Sequence, residues 1–174
     1  MIEKLIAIAS SQVGVREIGG NNRGDKIREY QSATELDPGA WPWCAAFVDW
    51  CIKEWLEDSQ VVKLLNLKNR TPDEWRPKTA LAYGLTAWAK NRPNTTRIFT
   101  ENDNAKPGDI VTFDFSHVGF VINDNGIWIE TIEGNTNGKG DRDSESGDGV
   151  WKKTRRKTLV KDLIRIYPSG SINK

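Results

Sequence analysis

The apolar residues of this chain change their period once, and that change limits the folds open to it. Up to Pro93 they recur three and four residues apart; beyond it they come in short runs broken by Gly, Asn and Asp. The spacing predicts helices over residues 2–14, 25–33, 43–57 and 79–90. Pro42 stands where a helix can start, and Cys44, Phe47, Val48, Cys51 and Trp55 form one stripe along the helix after it. Residues 59–78 are ambiguous, because Asn69-Arg70-Thr71-Pro72 interrupts their apolar run. Strands are expected over Ile110–Phe115, Val118–Ile122, Ile127–Ile132, Val150–Arg155 and Leu163–Tyr167. Helices first and an antiparallel sheet second make an α+β layout. A length of 174 residues suits a single domain spanning 1–174.

Composition removes several function classes. Apolar residues are 37% of the chain, too many for a disordered tail protein. Lys plus Arg number 25 against 24 Asp plus Glu, so no nucleic-acid partner is expected. The longest clean apolar run, Leu5 to Ala9, is too short for a membrane span. Two cysteines and one histidine exclude a four-ligand Cys/His zinc site, and no cofactor is expected. Eight tryptophans are many, and some are expected to line a ligand groove. The N-terminus carries Glu3 and a short apolar stretch, so it reads as an amphipathic helix rather than a secretory signal. The expectation is a product made in the cytoplasm and released or carried to wherever it acts. Residues 151–174 hold eight Lys/Arg against one Asp. That segment reads as a solvated strand face; the sharper alternative is a weak contact with an anionic surface.

The chemistry rests on Cys44, His117 and the segment Thr131 to Asn137. Cys44 opens a predicted helix, where free backbone N–H groups and the helix dipole favour a thiolate. Cys51 is seven residues on, about 10 Å further along the axis, too far for a disulfide within that helix. It is expected in the core. His117, the sole histidine, starts a predicted strand and is the candidate base. Glu133 is the candidate third group that orients it. Register decides whether Glu133 shares a face with His117. A two-residue Asn125-Gly126 turn sets them on opposite faces; a three-residue Asp124-Asn125-Gly126 loop, or a bulge, sets them on one. The three-residue loop is the expectation. The acidic run Asp141, Asp143, Glu145 and Asp148 lacks the Gly and Glu spacing of a helix–loop–helix calcium site and reads as a solvated loop, with no metal expected.

Four pieces in this order resemble the CHAP family of cysteine- and histidine-dependent amidohydrolases and peptidases. They are Pro42-Trp43-Cys44-Ala45-Ala46-Phe47-Val48, Pro107-Gly108-Asp109-Ile110-Val111, Ser116-His117-Val118-Gly119 and Ile132-Glu133-Gly134-Asn135-Thr136. Asn21-Asn22-Arg23-Gly24 and Gly147-Asp148-Gly149-Val150 resemble phage-type members. The resemblance implies a papain-like fold with N-terminal helices packed on a C-terminal antiparallel sheet. It implies cleavage of amide bonds in bacterial peptidoglycan, with Cys44 as nucleophile, His117 as general base, Glu133 orienting it and Asn135 a candidate fourth member. Trp41, Trp43, Asn22 and Arg23 are candidate groove residues. Many members have Gln where this chain has Trp43, so the second oxyanion donor is open. The segment Val61–Trp75, longer than the family core needs, is expected to pack rather than form a lid. The expected protein is a monomeric phage or prophage lysin or a virion-borne hydrolase. The alternatives are a papain-like antibacterial effector or protease acting on another amide, and a non-catalytic wall-binding module.

Overall fold

In a computed structural model, residues 1–67, 69–138 and 147–171 are described. The helices are α1 (Ile2–Ser11), α2 (Asp25–Gln31), α3 (Cys44–Trp55), α4 (Ser59–Leu65), α5 (Pro72–Trp75) and α6 (Gly84–Lys90). The strands are β1 (Thr96–Phe99), β2 (Ile110–Phe113), β3 (His117–Asp124), β4 (Trp128–Thr136), β5 (Gly149–Arg156) and β6 (Val160–Ile166). They form one antiparallel sheet in the order β1-β6-β2-β3-β4-β5. The fold is α+β, helices then sheet, as expected.

α3 is the central helix. Ten of its twelve residues are buried, which a helix apolar on nearly every side requires. It packs against α1, α2, β3 and β4. Gly134 lets β4 approach it closely: a Cβ there would lie 2.6 Å from Phe47 Cβ. The sheet face towards the helices carries Val118, Phe120, Ile132 and Ile164. The opposite face has a smaller core of Val111, Phe113, Val121, Ile129 and Leu163.

The ambiguous stretch 59–78 resolves into two short helices with ordinary start signals. Asp58 caps α4 by accepting from Gln60 N–H, and Thr71 and Glu74 form a capping box around Pro72 at the start of α5. Val61, Leu65, Leu67 and Trp75 are buried, so Val61–Trp75 packs. α6 starts at Gly84, not at residue 79. The preceding Ala80–Tyr83 stays as a turn with Leu81 72% exposed, and it walls the groove that holds Cys44. β1 has no counterpart among the expected strands: it is a four-residue edge strand whose partner, β6, is more than sixty residues away.

The basic C-terminal segment is largely turned inward. Arg155 pairs with Glu133, Lys157 with Asp124 and Arg165 with Asp109, and buried Lys153 donates to the Asn137 carbonyl. Lys152, Arg156 and Lys161 remain exposed.

Candidate active site

Cys44 is the first residue of α3, and no side chain caps that end of the helix. The first backbone N–H groups of α3 are therefore available to an oxygen arriving beside Cys44. His117 is the first residue of β3 and is fully buried. The turn before it, Asp114 to Ser116, puts Ser116 at φ 59, a left-handed conformation unusual for serine. Tyr83 holds it there: its hydroxyl donates to the Phe113 carbonyl at 2.9 Å and accepts from Ser116 N–H at 3.0 Å.

The β3–β4 register differs from the expected loop. Asp124 pairs with Ile129 across a turn of Asn125 to Trp128, closed by Asn125 N–H to the Trp128 carbonyl at 3.1 Å. Continued unbroken, that register would put Glu133 on the face away from His117. A bulge at Ile122 corrects it, so that Val121 pairs with Thr131 and Phe120 with Ile132. Gly119 then opposes Glu133, and a Cβ on Gly119 would lie 2.6 Å from Glu133 Cγ. The expected three-residue loop is absent, and the shared face comes from the bulge.

His117 Nε2 and Glu133 Oε2 are 2.8 Å apart. Glu133 is fully buried, and three side chains meet its two oxygens. Thr131 donates to Oε1 at 2.6 Å; Arg155 donates through Nε to Oε1 and through Nη2 to Oε2. Burial alone would raise the carboxyl's pKa, but the bonds from Arg155 and the charge of His117 bring it down to about 2. An ionised carboxylate accepts only, so Nε2 carries a hydrogen. Nδ1 then has no hydrogen-bond partner, and Cys44 lies close enough to raise the proton affinity of the ring. Burial lowers the pKa of the ring, but the charge of Glu133 and the contact with Cys44 outweigh it and raise the value to about 9. The arrangement gives a thiol, an imidazole able to hold the thiol's proton, and a fixed charge behind the imidazole.

The hydrogen bonds of Asn135 run to Trp43, Asn22 and Glu17 rather than to His117. Asn135 sits at φ 53, its Oδ1 accepts from Trp43 N–H at 3.3 Å, and its Nδ2 donates to Asn22 at 3.0 Å. It ties β4 to the residue before Cys44. Trp43 is in the core rather than on a groove: it is fully buried, stacks on Tyr30 and donates its indole N–H to Glu17. Asn22, 7% exposed, accepts from Asn135 and with exposed Arg23 lines a separate cavity of about 480 Å³. Trp41 does line the groove that holds Cys44, with Leu36, Leu81 and Tyr83; its volume is about 610 Å³. Buried Gln31 fixes that wall, donating to the carbonyls of Gly39 and Trp41 and accepting from Gly39 N–H.

Sequence reasoning missed Gln31, Tyr83, Thr131 and Arg155. For Arg155 a signal existed: Lys153 and Arg155 alternate in β5 on the face that carries Thr131 and Glu133. Asp148 pairs with Arg16 at 2.7 Å, while Asp141, Asp143 and Glu145 of the acidic run lie outside the described residues. Among the described residues, no cluster of His, Cys, Asp or Glu could hold a metal ion, and no helix is long and apolar enough to cross a membrane.

A sequence model of the CHAP domain matches residues 36–135, a stretch holding Cys44, His117, Glu133 and Asn135. No curated protein matches the chain.

Proposed function

The chain belongs to the CHAP domain family of peptidoglycan amidases and peptidases, and from that premise we propose that it hydrolyses a peptidoglycan amide bond through Cys44. The observation that carries this reading is the buried His117–Glu133 pair, which leaves Nδ1 without a partner in a ring whose proton affinity Cys44 raises. His117 takes the thiol proton through Nδ1, and the sulfur attacks the amide carbonyl. The oxyanion meets the backbone N–H groups at the start of α3. The imidazolium then protonates the leaving amine, and water, deprotonated by the freed imidazole, hydrolyses the thioester.

The groove wall of Leu36, Trp41, Leu81 and Tyr83 suits an uncharged stretch of stem peptide or cross-bridge. The bond cut is either a stem or cross-bridge peptide bond or the muramoyl–L-alanine amide. The loop motifs of phage type support a monomeric phage or prophage lysin, or a virion-borne one, that reaches the wall after release.

Thiol labelling tests the nucleophile. Cys51 is fully buried and its burial pushes the thiol well above its ordinary pKa. Iodoacetamide is expected to modify Cys44 well ahead of Cys51, and His117→Ala is expected to slow it. Equal, slow labelling of both cysteines would favour a non-catalytic wall-binding module.

A further inference from the structure

The catalytic carboxylate is shared. Arg155, on β5, is fully buried and grips Glu133 with two prongs, Nε on one oxygen and Nη2 on the other. Its guanidinium lies 5.5 Å from the Phe113 ring centroid and 5.3 Å from that of Phe115, and both rings also stack on His117. Arginine and histidine therefore sit against the same two aromatic rings, with the carboxylate between them. Arg155 lies outside the stretch that matches the family, so its role follows from this geometry.

We propose that Arg155 is a positioning residue of the hydrolysis: it clamps Glu133 on Nε2 of His117 and takes up part of the carboxylate's charge, so that Nδ1 can both accept and return the Cys44 proton. This rests on the reading of Cys44, His117 and Glu133 as the catalytic set. The titratable groups facing His117 are Cys44 from α3 and Glu133 from β4, with Arg155 behind Glu133 from β5. Glu17, near Asn135, is engaged by the indole of Trp43.

Charge balance gives the reason. With Arg155 present, the buried set is neutral whether the proton sits on the Cys44 sulfur or on His117, so moving it creates no net buried charge. Without Arg155 the set carries one negative charge in either state. A buried, unpaired charge is costly, and the nearest relief is to hold a proton on His117 or Glu133 permanently. Either outcome upsets the exchange of the proton between Cys44 and His117. The clamp also fixes geometry, since one lone pair of each Glu133 oxygen points at Arg155 and the torsion that aims Oε2 at His117 is locked.

The test uses the fact that His117 is the only histidine, so its ring gives one unambiguous NMR titration that needs no substrate. In a Cys44→Ala background, Arg155→Met is expected to raise the pKa of His117 by about one unit. With Cys44 present, Arg155→Lys keeps the charge and loses the two-pronged grip. It is expected to fold, to titrate His117 near the wild-type value, and to lose about tenfold in kcat on a soluble muropeptide with KM unchanged. Wild-type kcat in Arg155→Lys, or an unmoved His117 titration in folded Arg155→Met, would overturn the proposal. Should Arg155→Met not fold, Arg155→Lys decides alone. A failure of all muropeptide hydrolysis would sink the catalytic reading, while the His117 titration would still show whether Arg155 sets its proton affinity.

Discussion

Glu133 stands at the junction of the site, where three donors fix it as an ionised acceptor. Glu133→Gln keeps the shape but brings an NH2 group that can face Nε2 and force the ring hydrogen onto Nδ1. A drop in kcat on the order of 10³- to 10⁴-fold with little change in KM is expected; near-wild-type kcat would remove Glu133 from the mechanism. The raised His117 value sets the alkaline edge of activity. In the proposed mechanism the imidazolium protonates the leaving amine; it persists until about pH 9, so a pH–rate profile should fall there and not near the 6.5 of an ordinary histidine. At this scale the sequence is informative about atoms that do chemistry and silent about those that hold them. Cys44 and His117 are the sort of residues that draw attention by type. Arg155 and Gln31 look like surface residues, and only their burial against named partners shows otherwise.

The elements bring these residues together through two close approaches and one bulge. A Cβ on Gly119 would lie 2.6 Å from Glu133 Cγ and 2.7 Å from the Ile132 carbonyl oxygen. Gly119→Ala is therefore expected to cost about 1–3 kcal/mol in denaturant unfolding. It should lower kcat as well, because the methyl pushes Glu133 off His117. Gly126→Ala is the contrast: its surroundings are open, but its φ of 92 strains any side chain. A loss of about 1 kcal/mol with unchanged kcat is expected there. Equal effects of the two substitutions on kcat would contradict the account of the β3–β4 pairing. The elements before and after Pro93 are legible because their apolar periods are distinct. The bulge at Ile122 is not, because nothing in Val121-Ile122-Asn123 marks an extra residue. Parity along the strands narrows the outcome to two classes, and function selects the right class with the wrong turn. The groove wall Ala80–Tyr83 reads as helix because alanine and leucine favour one, while Gly84, against which Thr79 packs closely, sets the true start.

In the molecule as a whole, stability and the proposed catalysis draw on the same buried charges. Glu133 is lowered from 4.5 to about 2, so its contribution is complete above pH 4.5 and lost as pH falls towards 2. His117 is raised from 6.5 to about 9, so its contribution is complete below pH 6.5 and lost as pH rises through 9. Asp49, buried in α3 with neither oxygen hydrogen-bonded to a side chain, works the other way. Burial raises its pKa well above 3.8, against weaker lowering by the Thr79 backbone and Arg76, so keeping it folded costs more as pH rises past 3.8. Thermal stability should peak on the acid side of neutrality, and Asp49→Asn should flatten its decline above the peak. A Tm maximum well above neutrality in the wild type would contradict this balance. The order of helices and sheet is readable from the sequence at this scale, but the inward turn of the basic C-terminal segment is not, since a charge count does not show which charges are paired. The central claim is that this chain cuts peptidoglycan with Cys44, and it is tested by digesting purified peptidoglycan with the wild type and with Cys44→Ala and identifying released fragments by mass spectrometry. Soluble muropeptides from the wild type alone are predicted, their new termini naming the bond. Release that survives Cys44→Ala, or none from several peptidoglycan types with folded wild-type protein, would contradict it.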